Sequence, residues 1–336
     1  MMGLLLSLQG ASAATPAQLP MVGADEKDPW GVPIRTADKI ALRRLLFERR
    51  FEELTDAIEQ LQAISDKDCQ RELVGLDAFE AFDSPDSRIE PLLEEWAKAS
   101  PKSYAPLVAR GTWGVAIAQE RRGKGYASQT SDSQWRGMHE SAASARVALD
   151  ASIALHPTLA ARRALMNLNT LEGTVEPPRA SQLTLGLKAC PASFQIHMKA
   201  IVELTPRWGG SYEQMARFAA KAPVKANPKL KVLVGTIASD RCVLEKKTPE
   251  TALPHCEKAL AVGPYWEFLY NKAIVLMYLG RHEEALAAVD KAIEQRPQKA
   301  RVLAARASLL RKLGRGDDAA AALALLNELD PQERLP

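Results

Sequence analysis

A spacing of 34 residues recurs in the last third of the chain, and it constrains the fold more than any other feature of the sequence. Three residues return 34 positions later, since Gly280, Ala285 and Pro297 recur as Gly314, Ala319 and Pro331. Apolar residues around them recur every three or four positions, which places them on one face of a helix. A glycine ends a helix without a Cβ clash, so each copy predicts two antiparallel helices joined by a tight turn.

These copies resemble the tetratricopeptide repeat, a helical hairpin that stacks into a solenoid. The positions that match its pattern are Ala273, Gly280, Ala285, Ala292 and Pro297 in one copy and Ala307, Gly314, Ala319 and Pro331 in the next. A weaker copy lies 33 positions upstream, at Ala252, Ala259 and Pro264. The resemblance implies an all-α fold, an α-hairpin solenoid that ends in about three such hairpins.

The chain divides into four predicted segments. They are a signal peptide at 1–13, an extended lead-in at 14–35, a helical domain at 36–228, and repeats at 229–336, near 233–264, 266–297 and 300–331. Within the helical domain, Thr36 is expected to cap the first helix. A glycine- and serine-rich stretch predicts an inserted loop at 121–137. A plain surface loop is the favoured interpretation, and a recognition role, to which Trp135 points, is the alternative.

Two segments of the helical domain, "LRRLLFERRFEELTDAIEQLQ" and "RWGGSYEQMARFA", resemble an uncharacterised bacterial family. In that family a domain of unknown function precedes tetratricopeptide repeats. The resemblance spans about residues 40 to 225. It implies an exported bacterial protein and no particular activity.

The N-terminus "MMGLLLSLQGASAAT" has a short apolar run followed by the small residues of an A-x-A cleavage site. No basic residue precedes the run. A truncated signal peptide would make the protein periplasmic or secreted, and a disordered tail would make it cytoplasmic; we favour the signal peptide. A membrane span needs roughly 18 consecutive apolar residues. No other run approaches that length, so no membrane span is expected.

The four cysteines include no C-x-x-C pair and the five histidines are scattered, so no metal site is expected. Cys242 and Cys256 flank a predicted turn. Two interpretations stay open, a disulfide that stabilises the hairpin by roughly 3 kcal/mol, or two buried thiols.

Catalytic motifs are missing from the sequence. It contains no G-x-S-x-G elbow, no H-E-x-x-H helix and no phosphate-binding G-x-x-x-x-G-K-[ST] loop. We therefore expect no catalytic residue and no cofactor, and predict that the protein is not an enzyme. A hydrolase-like activity in the N-terminal half is the third alternative.

Charge is nearly balanced, with 44 basic and 41 acidic residues and a net charge of +3. Nucleic-acid binding usually needs a clustered basic surface, so no nucleic-acid partner is expected. The one basic run, Arg43, Arg44, Arg49 and Arg50, is diluted by glutamates and is interpreted as a solvated helix face.

The first helices of tetratricopeptide repeats line a peptide groove. The positions that this resemblance assigns here are Ile237, Arg241, Glu267, Tyr270, Asn271, Ile274, Arg301 and Ser308. Family members that bind a C-terminal carboxylate use polar residues at five positions of the groove. This chain matches two of the five, at Asn271 and Arg301. It differs at the other three, which are Ile237, Arg241 and Ala305 here. The resemblance therefore implies a groove for an extended or helical segment of another protein.

A second irregular point has two interpretations. Trp208, Gly209 and Gly210 precede a helix start at Ser211 and Tyr212, where Ser211 and Gln214 match a capping box. A sharp turn anchored by Trp208 is the favoured interpretation. The alternative is a pocket for a small ligand or peptide formed by Trp208, Gly209, Gly210 and Tyr212 with the exposed amides of the helix start.

The sequence thus predicts a non-enzymatic protein that binds another protein or peptide in the groove of its repeats. The alternative is a structural module that holds a cell-envelope complex together. The identity of the partner is not encoded in any recognisable motif.

Overall fold

The computed structural model describes residues 19–123, 125, 127–173, 178–333 and 335–336. These residues are mostly helical, which confirms the all-α prediction. In the described part of the chain the helices are α1 (Lys39–Phe47), α2 (Phe51–Lys67), α3 (Glu72–Glu80), α4 (Ile89–Ala99), α5 (Ala105–Arg122), α6 (Asp132–Leu155), α7 (Leu159–Leu171), α8 (Pro178–Ala189), α9 (Phe194–Glu203), α10 (Tyr212–Ala220), α11 (Val232–Leu244), α12 (Pro249–Leu260), α13 (Trp266–Tyr278), α14 (His282–Gln295), α15 (Ala300–Lys312) and α16 (Gly316–Leu329).

Two short strands precede the helices. β1 (Met21–Val22) and β2 (Thr36–Ala37) pair antiparallel, with Met21 opposite Ala37. Thr36 lies in a strand, so the prediction that it caps α1 is wrong. The cap is Asp38, whose side chain accepts a hydrogen bond from the Ala41 amide at 3.0 Å. The predicted signal peptide lies outside the described residues.

The last six helices form three hairpins, α11 with α12, α13 with α14, and α15 with α16. Gly280 and Gly314 both have φ of 72° in the turns of the second and third hairpins, as predicted. Nothing lies within 4 Å of a Cβ built on either glycine, so backbone conformation alone favours glycine there. Ala273, Ala285 and Ala292 are fully buried where the helices pack together.

Helices α5 and α6 form the closest helix pair of the N-terminal half. A Cβ on Gly114 would lie 2.7 Å from the Ala145 Cβ, and one on Gly111 would lie 2.4 Å from the Leu149 side chain. The predicted loop at 121–137 is shorter than expected, because α5 extends to Arg122 and α6 already begins at Asp132. Ser131 and Gln134 form a capping box, which starts α6 early and places Trp135 in the helix.

The first helix packs against the last hairpin and closes the solenoid on itself. Ile40 of α1 lies in an apolar cluster with Leu303, Leu326 and Leu329 of α15 and α16. Arg43, only 2% exposed, donates to the Glu328 carbonyl at 2.9 Å and forms a 3.0 Å ion pair with Asp86. The interpretation of the basic run as a solvated helix face is therefore wrong for Arg43, although it holds for Arg44. Arg49 and Arg50 are exposed as well, but they lie in the turn between α1 and α2.

Among the described residues, no helix is both long and apolar enough to span a bilayer.

Candidate functional site

A groove of about 600 Å³ runs along the inner face of the repeats. Helices α11, α13 and α15 contribute its floor, and α9 contributes a wall through Met198 and Val202. Of the predicted groove residues, those that line it are Glu267, Tyr270, Asn271, Ile274 and Arg301. They come together because the first helices of successive hairpins lie side by side on the inner face of the array.

The other three predicted residues do not line this groove. Arg241 is exposed and lies over the Tyr212 ring, 4.9 Å from its centroid. Ile237 is half-buried and packs against the core of the repeats. The Ser308 hydroxyl donates to the carbonyl of Pro336 at 3.0 Å, and Pro336 itself borders the groove.

Side chains in the middle of the groove are held by contacts with one another and with α11. Asn271 donates to the Ser239 hydroxyl at 2.9 Å, which fixes its amide against α11. Arg301 forms a 2.6 Å ion pair with Glu267, and its guanidinium lies 5.0 Å from the Tyr270 ring centroid. Burial raises the pKa of the Tyr270 phenol, so that hydroxyl stays neutral. A bound segment would therefore meet a preformed surface.

One end of the groove combines apolar side chains with free positive charge. Ile274, Met277 and Tyr278 follow one another along α13, and Tyr278 is 56% exposed. Lys246 and Lys312 lie at the ends of the neighbouring first helices α11 and α15. Neither lysine has an acidic partner within 4.0 Å in the part of the chain that the structure describes. This end is therefore suited to an apolar side chain flanked by carboxylates.

The α9 wall and its neighbours carry polar contacts that the sequence did not indicate. Arg207 pairs with Asp240 at 2.5 Å, and the Tyr212 hydroxyl donates to the same carboxylate at 3.0 Å. Arg207 and Asp240 border the groove, while Tyr212 does not. No motif marks these residues, because they converge from separate helices.

The residues of the alternative pocket predicted near Trp208 form a turn between α9 and α10. Trp208 ends a short 3-10 turn, and Gly209 follows with φ of 85°. A Cβ on Gly210 would lie 2.1 Å from the Leu204 carbonyl oxygen, so only glycine fits there. Ser211 accepts a hydrogen bond from the Gln214 amide and starts α10. None of Trp208, Gly209, Gly210 and Tyr212 borders the groove, so the geometry agrees with an anchored turn.

Two disulfides are present. Cys242 of α11 is bonded to Cys256 of α12, with 5.1 Å between their Cα atoms. Cys69 is bonded to Cys190 over a sequence separation of 121 residues, a pairing that sequence spacing does not reveal. The second bond joins the start of α3 to the end of α8. No group of His, Cys, Asp or Glu side chains in the described chain is arranged to hold a metal ion.

A second cavity of about 550 Å³ lies where the N-terminal helices face the repeats, and we call it the central cavity. Its N-terminal side includes Gln119 of α5 and Arg163 of α7, and its repeat side includes Lys299 and Glu267. Glu267 borders both cavities, so they adjoin.

Two parts of the chain match known protein families. Residues 248–298 and 270–334 match the family described as tetratricopeptide repeat. Residues 38–174 match a domain of unknown function, DUF4034. Both resemblances stated from the sequence are confirmed, and the second match is shorter than the expected span.

No curated protein matches the sequence. Among solved structures, the chain is similar to the one titled "Crystal structure of APC/C hetero-tetramer Cut9-Hcn1", with 14% sequence identity and a TM-score of 0.34. The similarity covers 87% of this chain and 52% of that chain, so this chain spans about half of its length.

Proposed function

We propose that this chain, which matches tetratricopeptide repeats over residues 248–334, is a non-enzymatic protein that binds a segment of another protein in its groove. The repeats are of a class that serves as protein-interaction scaffolds, and the groove is open, preformed and bordered by the first helices. The observation that carries the proposal is the unpaired charge of Lys246 and Lys312 beside exposed Tyr278.

The groove chemistry indicates the kind of segment. Apolar contact with Ile274, Met277 and Tyr278 would supply most of the binding free energy, since aromatic and apolar anchors dominate protein interfaces. Carboxylates on the segment would neutralise Lys246 and Lys312 and fix its register. The bound segment is therefore an extended or helical one with an apolar residue flanked by Asp or Glu.

A display library of random peptides, selected on the immobilised full chain, tests this function. Enriched peptides should contain an apolar residue next to acidic ones. The double variant Lys246→Glu with Lys312→Glu should bind them at least about ten-fold more weakly. The control is Lys258→Glu with Lys291→Glu, because both lysines are exposed on second helices, outside the groove. Equal loss in both double variants would refute groove binding.

Export is part of the proposal and is supported by cysteine usage. All four cysteines are in disulfides, which persist in oxidising compartments such as the periplasm. Fractionation of bacterial cells that carry the native gene should place the protein in the periplasm or the medium. Recovery from the cytosol with four alkylatable thiols would contradict this.

The alternative function, a structural module of an envelope complex, would use surfaces other than the groove. In that case the groove double variant would keep its partners and its assembly.

A further inference from the structure

One of the positively charged side chains that line the central cavity has no acidic partner in the part of the chain that the structure describes, while the others do. The cations that line it within the described residues are Lys39, Arg163, Lys199, Lys299 and Arg301. Four of these have an acidic partner: Lys39 and Lys299 pair with Glu80, Lys199 pairs with Glu203 at 3.2 Å, and Arg301 pairs with Glu267 at 2.6 Å. Arg163 is the exception.

Arg163 is half-buried on α7 and makes no ion pair or hydrogen bond with any residue that the structure describes. A guanidinium carries five N–H donors in a planar fork. Buried or partly buried charges are normally paired, because their removal from water costs free energy. An arginine that faces a cavity with its donors unused is therefore poised to bind an anion.

Two amide side chains that line the same cavity, Asn167 and Gln119, are also unused. Asn167 lies one helical turn further along α7, on the same face as Arg163. Gln119 of α5 lines the same cavity. Neither amide has a hydrogen-bond partner among the described residues. The three side chains offer donors that suit the oxygens of a carboxylate or phosphate group.

The acidic residues of the cavity leave this charge available. Glu80 already pairs with Lys39, Arg296 and Lys299. Asp83 also borders the cavity, but its carboxylate is not within 4.0 Å of Arg163.

The size of the cavity fits a small molecule. Its 550 Å³ falls within the range of ligand sites, and such sites occur preferentially where two domains meet. Here α5 and α7, within the part that matches the domain of unknown function, face the tetratricopeptide repeats.

We propose that the central cavity binds a small molecule through a carboxylate or phosphate group held by Arg163, Asn167 and Gln119. This site adjoins the peptide groove at Glu267, but Arg163, Asn167 and Gln119 do not line that groove, and the proposal does not depend on the proposed function. Asp83 would accept a hydrogen bond from a hydroxyl or ammonium group elsewhere on the same ligand.

The test measures the unfolding temperature of the full chain as inorganic phosphate or succinate is titrated at constant ionic strength, with choline chloride as the cationic comparison. A saturable rise with phosphate alone would indicate a phosphate-bearing ligand, and a rise with succinate alone would indicate a carboxylate. The Arg163→Gln variant should bind the effective anion about ten-fold or more weakly, since hydrogen bonds to a charged group are the strong ones. Arg136→Gln, at an exposed position on α6 that makes no ion pair in the described chain, should bind like wild type.

Three results would overturn the proposal: no saturable effect of either anion, an equal effect of choline, or wild-type binding by Arg163→Gln. If Arg163→Gln does not fold, Asn167→Ala takes its place, because it leaves every charge intact. It should weaken binding about three-fold or more, and an unchanged affinity would count equally against the site.

Discussion

Arg296, at the end of α14, donates to the Asp77 carboxylate of α3 at 2.6 Å, although 219 positions separate the two residues. The same guanidinium reaches Glu80 at 3.0 Å, and Lys39 and Lys299 pair with Glu80 as well. Both acidic side chains are largely withdrawn from solvent, with 2% of Asp77 and 7% of Glu80 exposed. This charge network joins the repeats to the N-terminal helices and sets their relative position.

Replacing Arg296 with methionine should destabilise the fold by about 3 kcal/mol, because Asp77 would remain buried with its carboxylate largely unpaired. Urea denaturation followed by circular dichroism measures this. The control is Arg281→Met, which breaks an exposed pair with Glu284 and should leave the midpoint unchanged. Equal midpoints for both variants would show that the buried network contributes nothing.

Stability should depend on pH through Glu72. Burial raises the pKa of its carboxyl to about 7, despite hydrogen bonds from the Ser193 hydroxyl and the Gln195 amide. Between pH 4.5 and 7 the carboxyl of Glu72 is therefore protonated in the folded state and ionised in the unfolded state, where its pKa has the ordinary value near 4.5. The free energy of unfolding should rise as pH falls from about 7 to about 4.5, by on the order of 3 kcal/mol.

Glu80 should make the free energy of unfolding change with pH in the opposite direction, and at lower pH. Burial alone would raise the pKa of its carboxyl, but Lys299, Lys39 and Arg296 outweigh burial and hold that pKa well below its usual value. The stabilisation that ionised Glu80 provides is present above the pKa that its carboxyl has in the unfolded chain. It is lost as pH falls through the lower pKa of the folded state. A Glu72→Gln variant should lose the rise between pH 7 and 4.5 and keep the acid loss. An unchanged profile would exclude Glu72 as the source.

The disulfide between Cys242 and Cys256 should stabilise the first repeat hairpin. Its sequence separation of 14 residues corresponds to about 3 kcal/mol on the chain-entropy estimate. The Cys242→Ala, Cys256→Ala double variant should unfold at lower urea concentration under non-reducing conditions. With reductant present, the difference from the wild-type chain should disappear, because neither chain then contains the bond. A persistent difference would mean that lost packing, and not the bond, is responsible.

The contact between α5 and α6 should tolerate no side chain at Gly114. Gly114→Val would place atoms into Ala145 and destabilise the protein by about 2 kcal/mol or more through overpacking. Gly137→Val is the matched control on α6, because a Cβ there meets only the flexible Arg121 side chain, at 3.4 Å or beyond. Thermal unfolding of both variants compares them, and similar midpoints would argue against a close helix contact.

The sequence predicted the repeats well because their signals are local. Gly280 and Gly314 mark turns through backbone conformation, and the apolar period of α13 and α15 follows from helix geometry. Tyr270, Asn271 and Ile274 line the groove on the helix to which the resemblance to tetratricopeptide repeats assigned them.

Long-range relationships could not be predicted in this way. The pairing of Cys69 with Cys190, the burial of Arg43 and the convergence of Arg163 with Gln119 depend on how separate helices pack. The loop before Trp135 was overestimated because glycine and serine were interpreted as loop residues, while Ser131 and Gln134 act as a helix cap.

The contact of Arg43 with Glu328 spans 285 positions, which has a consequence for biosynthesis. Helix α1 leaves the ribosome long before α16 is translated, so Ile40 lacks its apolar neighbours on α15 and α16 for most of that time. Docking of the last hairpin onto α1 must then be among the last events in folding. A ribosome stalled within α16 would hold a nascent chain with the apolar surface around Ile40 still available to chaperones.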